Sequence, residues 1–294
     1  MAALLFASIC LIWGSTWLAI KVGLDGVPPF LGAGLRFVIS TALVGGVVAA
    51  RGKRPVLTRD ERTCVWSIAL LVVWINYGAV YWAEQRISSG LAATLFSMMP
   101  LMTALLTRYW TRSETLDRSK VAGILIGVAG TALLFWPDER LGLQQVLGMM
   151  ATLTACLCAA INLVTMKQYG RHADPFVLNF FGMGLGAVLL LLTSAALESW
   201  TVAWRPATLG ALLYLAVFGS VVAFSAYYAL IKLIDATIVS LSTLIIPIIA
   251  LVLGRVVLGE AISPTSIWGI VVILAGVAVA MLPAVWMRRP ARLS

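Results

Sequence analysis

Apolar runs long enough to cross about 30 Å of hydrocarbon recur along the whole chain. They occupy residues 3–22, 30–50, 64–83, 88–107, 120–136, 144–166, 175–197, 206–230, 236–257 and 263–287. At about twenty residues each they take up about two-thirds of the chain, so no soluble domain of useful size fits between them. The pattern predicts an all-α integral membrane protein with ten transmembrane helices. Within the first run, LIWGSTWLAIKVG (11–23) is unusual, because it carries two Trp, a Ser, a Thr and a terminal Lys. On a helix Trp13, Thr16, Trp17 and Ile20 fall at i, i+3, i+4 and i+7, one stripe that must face something other than lipid. No Lys or Arg precedes this run and no small-residue cleavage site follows it, so it is expected to be the first span rather than a leader.

The chain repeats itself. Tyr81-Trp82-Ala83 matches Tyr227-Tyr228-Ala229, Lys21 matches Lys167, Pro29-Phe30 matches Pro175-Phe176, Glu114 matches Glu260, Gly123 matches Gly269 and Gly130 matches Gly276, each pair 146 positions apart. The mid-span Pro100 and Pro247 follow the same register after one inserted residue. Two five-span repeats are therefore expected, residues 1–140 and 141–294. An odd number of spans makes the second enter the membrane from the opposite face, giving inverted repeats around a central cavity at the midplane.

Composition agrees: 61% of the 294 residues are hydrophobic and 11% charged, with mean hydropathy +1.00. The +9 net charge does not suggest a nucleic-acid partner, because the basic residues are scattered through short loops. Their distribution reports orientation. Arg51, Lys53, Arg54, Arg59, Arg62, Arg108, Arg112, Arg118, Lys120, Lys167, Arg171, Lys232, Arg288, Arg289 and Arg292 lie on one side, against only Lys21, Arg86, Arg140, Arg205 and Arg255 on the other. By the positive-inside rule the first side is cytoplasmic, as are both termini. Cys10, Cys64, Cys156 and Cys158 lie in or beside spans and predict neither a disulfide nor a metal site.

These features together resemble one family: ten spans, WGSTW in the first, Arg36 in the second, a mid-span Pro in the fourth and ninth, and Gly-rich fifth and tenth spans. The chain is similar throughout to the EamA-type branch of the drug/metabolite transporter superfamily, and within it most like the YddG amino-acid exporters. The resemblance implies export of amino acids, of several kinds and with aromatic ones among the candidates, from the cytoplasm across the cell (inner) membrane by alternating access. Export of another metabolite or a drug on the same scaffold is the alternative.

For the cavity wall the residues suggest Trp13, Thr16 and Trp17 facing Trp74, Tyr77 and Tyr81 of the third span and Phe224 and Tyr227 of the eighth. Large rings with polar tips suit both the ammonium and the apolar side chain of an amino acid. Ser97, Ser242 and Thr243, and above all Asn76 and Asn162, add neutral hydrogen-bonding groups at depth, where a buried amide must find a partner. Pro100 and Pro247 break backbone bonding at corresponding places in the two halves, the sequence mark of a hinge or gate. Arg36 is the basic residue inside a span, expected as a gate or an anchor for a substrate carboxylate, against snorkelling to the nearby interface.

No Asp or Glu falls deep within a run, and the single His, His172, is in a loop. Facilitated export without a buried proton relay is therefore expected, with Glu84 the residue placed to overturn it. No G-x-x-x-x-G-K stretch is present, which excludes an ATP-driven pump within this chain. A membrane enzyme would need a nucleophile–base pair or metal cluster at depth, and a channel a charged ring or carbonyl filter. No cofactor is expected. The partners expected are the small-molecule solute, the bilayer and, at most, a second copy through the Gly-rich faces.

Overall fold

The computed structural model describes residues 2–52, 57–111, 118–134, 142–170, 172–230, 233, 242–261 and 264–286. Among them the chain forms ten helical spans and no strand. They are α1 (Ala2–Leu24), α2 (Pro29–Ala50), α3 (Arg59–Glu84), α4 (Ser89–Trp110), α5 (Arg118–Leu134), α6 (Leu143–Tyr169), α7 (Pro175–Leu197), α8 (Pro206–Ala216 continuing to Leu230), α9 (Ser242–Leu258) and α10 (Pro264–Trp286). Six of them, α1 to α4, α6 and α7, are by length and composition alone sufficient to cross a membrane.

Helix starts follow local chemistry. Proline supplies the first turn of α2, α7 and α8, where its missing N–H would have no intrahelical partner anyway. Thr58 and Glu61 close a capping box on α3, the Thr58 N–H donating to Glu61 Oε2 at 2.8 Å. Ser88 caps α4 and Asp174 caps α7. Gly52 and Gly259, both at φ 65°, turn the chain out of α2 and α9 in the left-handed region.

The packing has a symmetry that connectivity alone would not require. Helix α1 packs on α8 and α9, and α6, its counterpart in the second half, packs on α3 and α4. Helix α2 meets α7 and α8, while α7 meets α2 and α3; α5 and α10 pack on each other. Exchanging the two sets of five helices reproduces the same interfaces, as a pseudo-two-fold axis between inverted repeats demands. Both termini of α3, and with them the two ends of the bundle, are distinguished below by their residues: one end carries Lys21, Glu198 and Glu260, the other Arg51 and Asp174.

The Gly faces are used inside the chain. A Cβ on Gly123 would lie 2.5 Å from the Gly276 carbonyl oxygen, and one on Gly130 2.7 Å from the Ile273 nitrogen. Close approach of α5 and α10 therefore needs the bare backbone.

Two departures from regular α-helix matter. Helix α3 runs as a π-helix over Ile68–Tyr77 and α8 over Val217–Val222, at corresponding places in the two halves. A third π turn, Thr107–Thr111, ends α4. Helix α4 is also broken at Ser97 and Met98, between the segments Ser89–Phe96 and Met99–Leu106, and Pro100 sits in the first turn of the second segment. Pro247, in contrast, is buried inside an uninterrupted α9.

Candidate functional site

Between the halves lies a cavity of about 70 Å³ lined by Phe37 of α2; Ile68, Val72, Val73 and Tyr77 of α3; Asn162 and Met166 of α6; Asn179 and Met183 of α7; and Phe224 of α8. Phe37 and Met183 occupy equivalent positions of the two repeats, which puts the cavity on the pseudo-two-fold axis. Ligand pockets are typically about 300–1,000 Å³, so the halves are contracted around it in this state. Its polar groups are few. Asn162 Oδ1 accepts from Ser67 Oγ at 3.0 Å, Asn179 adds a second amide, and the rest of the wall is aromatic, aliphatic or Met.

Arg36 closes the cavity behind two of its wall residues. Its guanidinium carbon lies 4.7 Å from the Tyr77 ring centroid and 5.3 Å from that of Phe37. The side chain is 1% exposed. Nε donates to Ser220 Oγ at 3.2 Å, while Tyr77 and Tyr81 face the guanidinium without closing a hydrogen bond onto Nη1 or satisfying the Tyr81 hydroxyl. Among the described residues no carboxylate forms an ion pair with it. The π turn of α8 builds this niche: Ser220 Oγ reaches the carbonyl of Leu215 five residues back, and the Ala216 carbonyl accepts from Ser40 Oγ of α2 at 3.2 Å. A Cβ on Gly219 would meet Arg36 Nη2 at 3.2 Å. Arg36 is thus not snorkelling; it is held at depth.

Of the residues expected from sequence, Tyr77, Asn162 and Phe224 line the cavity. Trp13 packs edge-on against Phe224, centroids 6.0 Å apart, and lies 5.5 Å from Tyr227, joining α1 to α8 beside the cavity. Thr16 is buried, its hydroxyl on the Trp13 carbonyl, and Trp17 is buried edge-on against Phe96 of α4. Tyr81 is buried under Arg36. Trp74 and Asn76 point elsewhere: Trp74 Nε1 donates to Thr193 Oγ1 of α7 at 2.8 Å, and Asn76 Nδ2 to the Ala155 carbonyl of α6 at 2.6 Å. The wider turn of the π segment rotates Trp74 off the face that regular α spacing assigns, while Asn76, next to Tyr77 in sequence, faces away from it in either geometry. Ser97 is buried with its hydroxyl on the Thr94 carbonyl at the break in α4; Ser242 is buried at the start of α9 and Thr243 half-buried beside it.

Sequence reasoning missed Phe37, Met166, Asn179 and Met183, whose types are ordinary in any membrane helix. It also placed no carboxylate at depth, and this is corrected: Glu84, the last residue of α3, is 0% exposed. Helices α6, α2 and α1 pack on the last two turns of α3 around it, a tertiary effect that the length of the apolar run does not show.

The two ends of the bundle are closed differently. At the Lys21 end, Glu198 accepts from the Phe30 and Leu31 N–H groups at 2.8 and 2.9 Å, seating a carboxylate on the N-terminus of α2. Glu260 does the same for α4, accepting from Ser89 N and Oγ, both at 2.9 Å. Lys21 Nζ donates to the carbonyls of Glu84 and Ile87, and Ala203 N donates to the Gly26 carbonyl at 2.8 Å. At the other end Arg51 pairs with Asp174 at 3.4 Å, both substantially exposed, and Arg51 lies over the Phe176 ring. Exposed pairs of this kind contribute little. The cavity residues Ile68, Asn162, Met166 and Asn179 lie on this second side of the midplane.

Two sets of five helices packed with matching interfaces around a small cavity, with carboxylates seated on helix termini at one end, have the organisation of a membrane carrier. The chain belongs to the EamA-like transporter family, whose model matches residues 1–136 and 146–282. It is 30% identical over 262 residues to the protein named "Uncharacterized inner membrane transporter YedA" of Escherichia coli (strain K12), covering 88% of this chain and 83% of YedA. It is 27% identical over 273 residues to "Uncharacterized transporter YoaV" of Bacillus subtilis (strain 168), covering 92% and 93%. A solved crystal structure superposes with a TM-score of 0.68 at 24% identity over 98% of this chain and 99% of that one, a likeness of fold. The protein is therefore a membrane transporter and not an enzyme.

Proposed function

We propose that this transporter exports amino acids from the cytoplasm across the inner membrane, by exchange between two arrangements of its halves, 1–140 and 141–294. The observation that carries the reading is Arg36: a guanidinium at depth, beside the cavity, with no carboxylate of the described residues in ion-pair contact. A buried charge of this kind is costly until it is paired, and a solute carboxylate supplies the pair with two parallel charge-assisted hydrogen bonds. The rings of Tyr77 and Phe224 and the Asn162 and Asn179 amides then face the ammonium and side chain, in keeping with an amino acid rather than a simple anion. Basic loops orient the Arg51 end to the cytoplasm with both termini, so the latched Lys21 end is external and the cavity leans towards the cytoplasm. Pro100 at the break in α4 and Pro247 in α9 act as the hinge pair, and Arg36 acts as the gate beside the solute.

Efflux of preloaded radiolabelled amino acids from proteoliposomes tests this reading. Saturable efflux that is lost in Arg36→Met supports it. Efflux of carboxylates lacking an amino group, with none of amino acids, assigns the same site to another class of metabolite.

A further inference from the structure

The site above leaves one buried ionisable group without a task. Glu84 is fully buried and neither carboxyl oxygen receives a hydrogen bond. Four other groups face it: Lys21 from α1, Arg36 from α2, Glu260 after α9 and Tyr81 from its own helix. None of them satisfies it. Lys21 Nζ is engaged by the backbone carbonyls of Glu84 and Ile87, and Glu260 is held by Ser89. An ionised carboxylate can only accept hydrogen bonds, and one sealed from water with no donor is costly even with the charges of Lys21 and Arg36 acting on it through space. Tyr77, Tyr81 and Glu84 stand at i, i+4 and i+7, one face of α3. This face runs from the cavity wall, through the unpartnered Tyr81 hydroxyl, to the external latch.

We propose that Glu84 is a proton-binding site that couples solute export to proton entry. Closure of the external latch around Glu84 requires a proton on its carboxyl group, taken up when that end is open and wet. In the closed state the proton leaves by way of Tyr81 and the cavity to the cytoplasm. The bare carboxylate then destabilises the latch it is buried in, and the external end reopens with solute aboard. One proton enters for each solute molecule that leaves. This coupling rests on the proposed solute path but is tested separately from the identity of the solute.

The test uses the full chain in two arms. In detergent, dicyclohexylcarbodiimide, which reacts with protonated carboxyl groups in apolar surroundings, is applied at about pH 6 and about pH 9, and the Glu84 peptide is read by mass spectrometry. Labelling that falls several-fold at the higher pH is expected; no labelling of Glu84 at the lower pH overturns the proposal whatever the solute is. In proteoliposomes with the membrane potential clamped, each pH unit of gradient drives about tenfold accumulation of radiolabelled amino acid in a one-for-one exchange. Glu84→Gln, which permits closure but cannot shed a proton to reopen the latch, is expected to lose the drive together with the pH dependence of any residual flux, and Glu84→Asp, the variant used if the Gln form does not fold, keeps the drive with a shifted pH profile. A drive retained by Glu84→Gln overturns the proposal, as does a wild-type flux indifferent to the gradient. Absence of any amino-acid flux contradicts the substrate reading alone and leaves the labelling arm to decide.

Discussion

The guanidinium of Arg36 lies 4.7 Å from the centroid of the Tyr77 ring, and through that ring a charge in α2 reaches the cavity wall in α3. The equivalent of Arg36 in the second half is Gly182, whose bare Cα lets α7 press on Ile68. The two repeats share a scaffold but not this charge, so the axis of symmetry passes through an asymmetric site.

Replacing Arg36 separates stability from function. An unpaired buried charge weakens a fold, so Arg36→Met is expected to melt at or above the wild-type temperature while losing saturable transport. Arg36→Lys keeps the charge but not the planar fork; KM is expected to rise about ten- to a hundredfold, the equivalent of one or two charge-assisted hydrogen bonds. Thermal unfolding in detergent and efflux kinetics on the same preparations check both.

Two aromatic residues of α3 should behave oppositely. Tyr77→Ala removes a cavity wall and the support beneath Arg36, and is expected to raise KM at least about tenfold. Trp74→Phe removes a bond to Thr193, worth roughly 0.6 to 1.7 kcal/mol between membrane helices, and should lower the melting temperature with KM unchanged. A KM effect at Trp74 equal to that at Tyr77 would mean that the π segment does not turn Trp74 away in the transporting protein.

The ten helices were legible because a membrane-crossing helix declares itself by length and apolarity, and the inverted halves because Lys21/Lys167, the Pro-Phe pairs and the glycines keep one register. Site residues were legible only in part. Regular helical spacing put Trp74, Tyr77 and Tyr81 on one face, but the π turn, which no residue type in IALLVVWINY announces, moves Trp74 to a contact with α7, and Asn76 was singled out as a buried amide, whose partner proved to be the α6 backbone. Glu84 ended an apolar run and read as an interfacial residue; its burial depends on α6, α2 and α1 packing on the last two turns of α3. Arg36 was legible as an anomaly, while its niche depends on a second π turn in α8.

The Glu198 contact at the Lys21 end predicts a gating phenotype. Glu198 places a carboxylate on the first turn of α2, and Glu198→Gln keeps the shape while removing the charge that favours the helix terminus. Opening at that end should become easier. In a chain with its four cysteines replaced by Ala, a cysteine at Leu24 is expected to react several-fold faster with an impermeant thiol reagent in the Glu198→Gln background. An unchanged rate would remove Glu198 from the latch.

The α5–α10 contact should matter to stability alone. Gly123→Leu places side-chain atoms where the Gly276 carbonyl and Ala280 already stand, and overpacking of this kind costs about 1–3 kcal/mol. A melting temperature lowered by several degrees is expected, with KM of the surviving protein unaltered because the contact is remote from the cavity.

The measurement that bears most directly on the whole account is efflux of preloaded radiolabelled amino acids from proteoliposomes, with wild type and Arg36→Met compared at matched protein content. The account predicts saturable efflux of amino acids that vanishes in Arg36→Met while the variant remains folded. Undiminished amino-acid efflux from a correctly inserted Arg36→Met would contradict it, because the carboxylate would then be bound elsewhere.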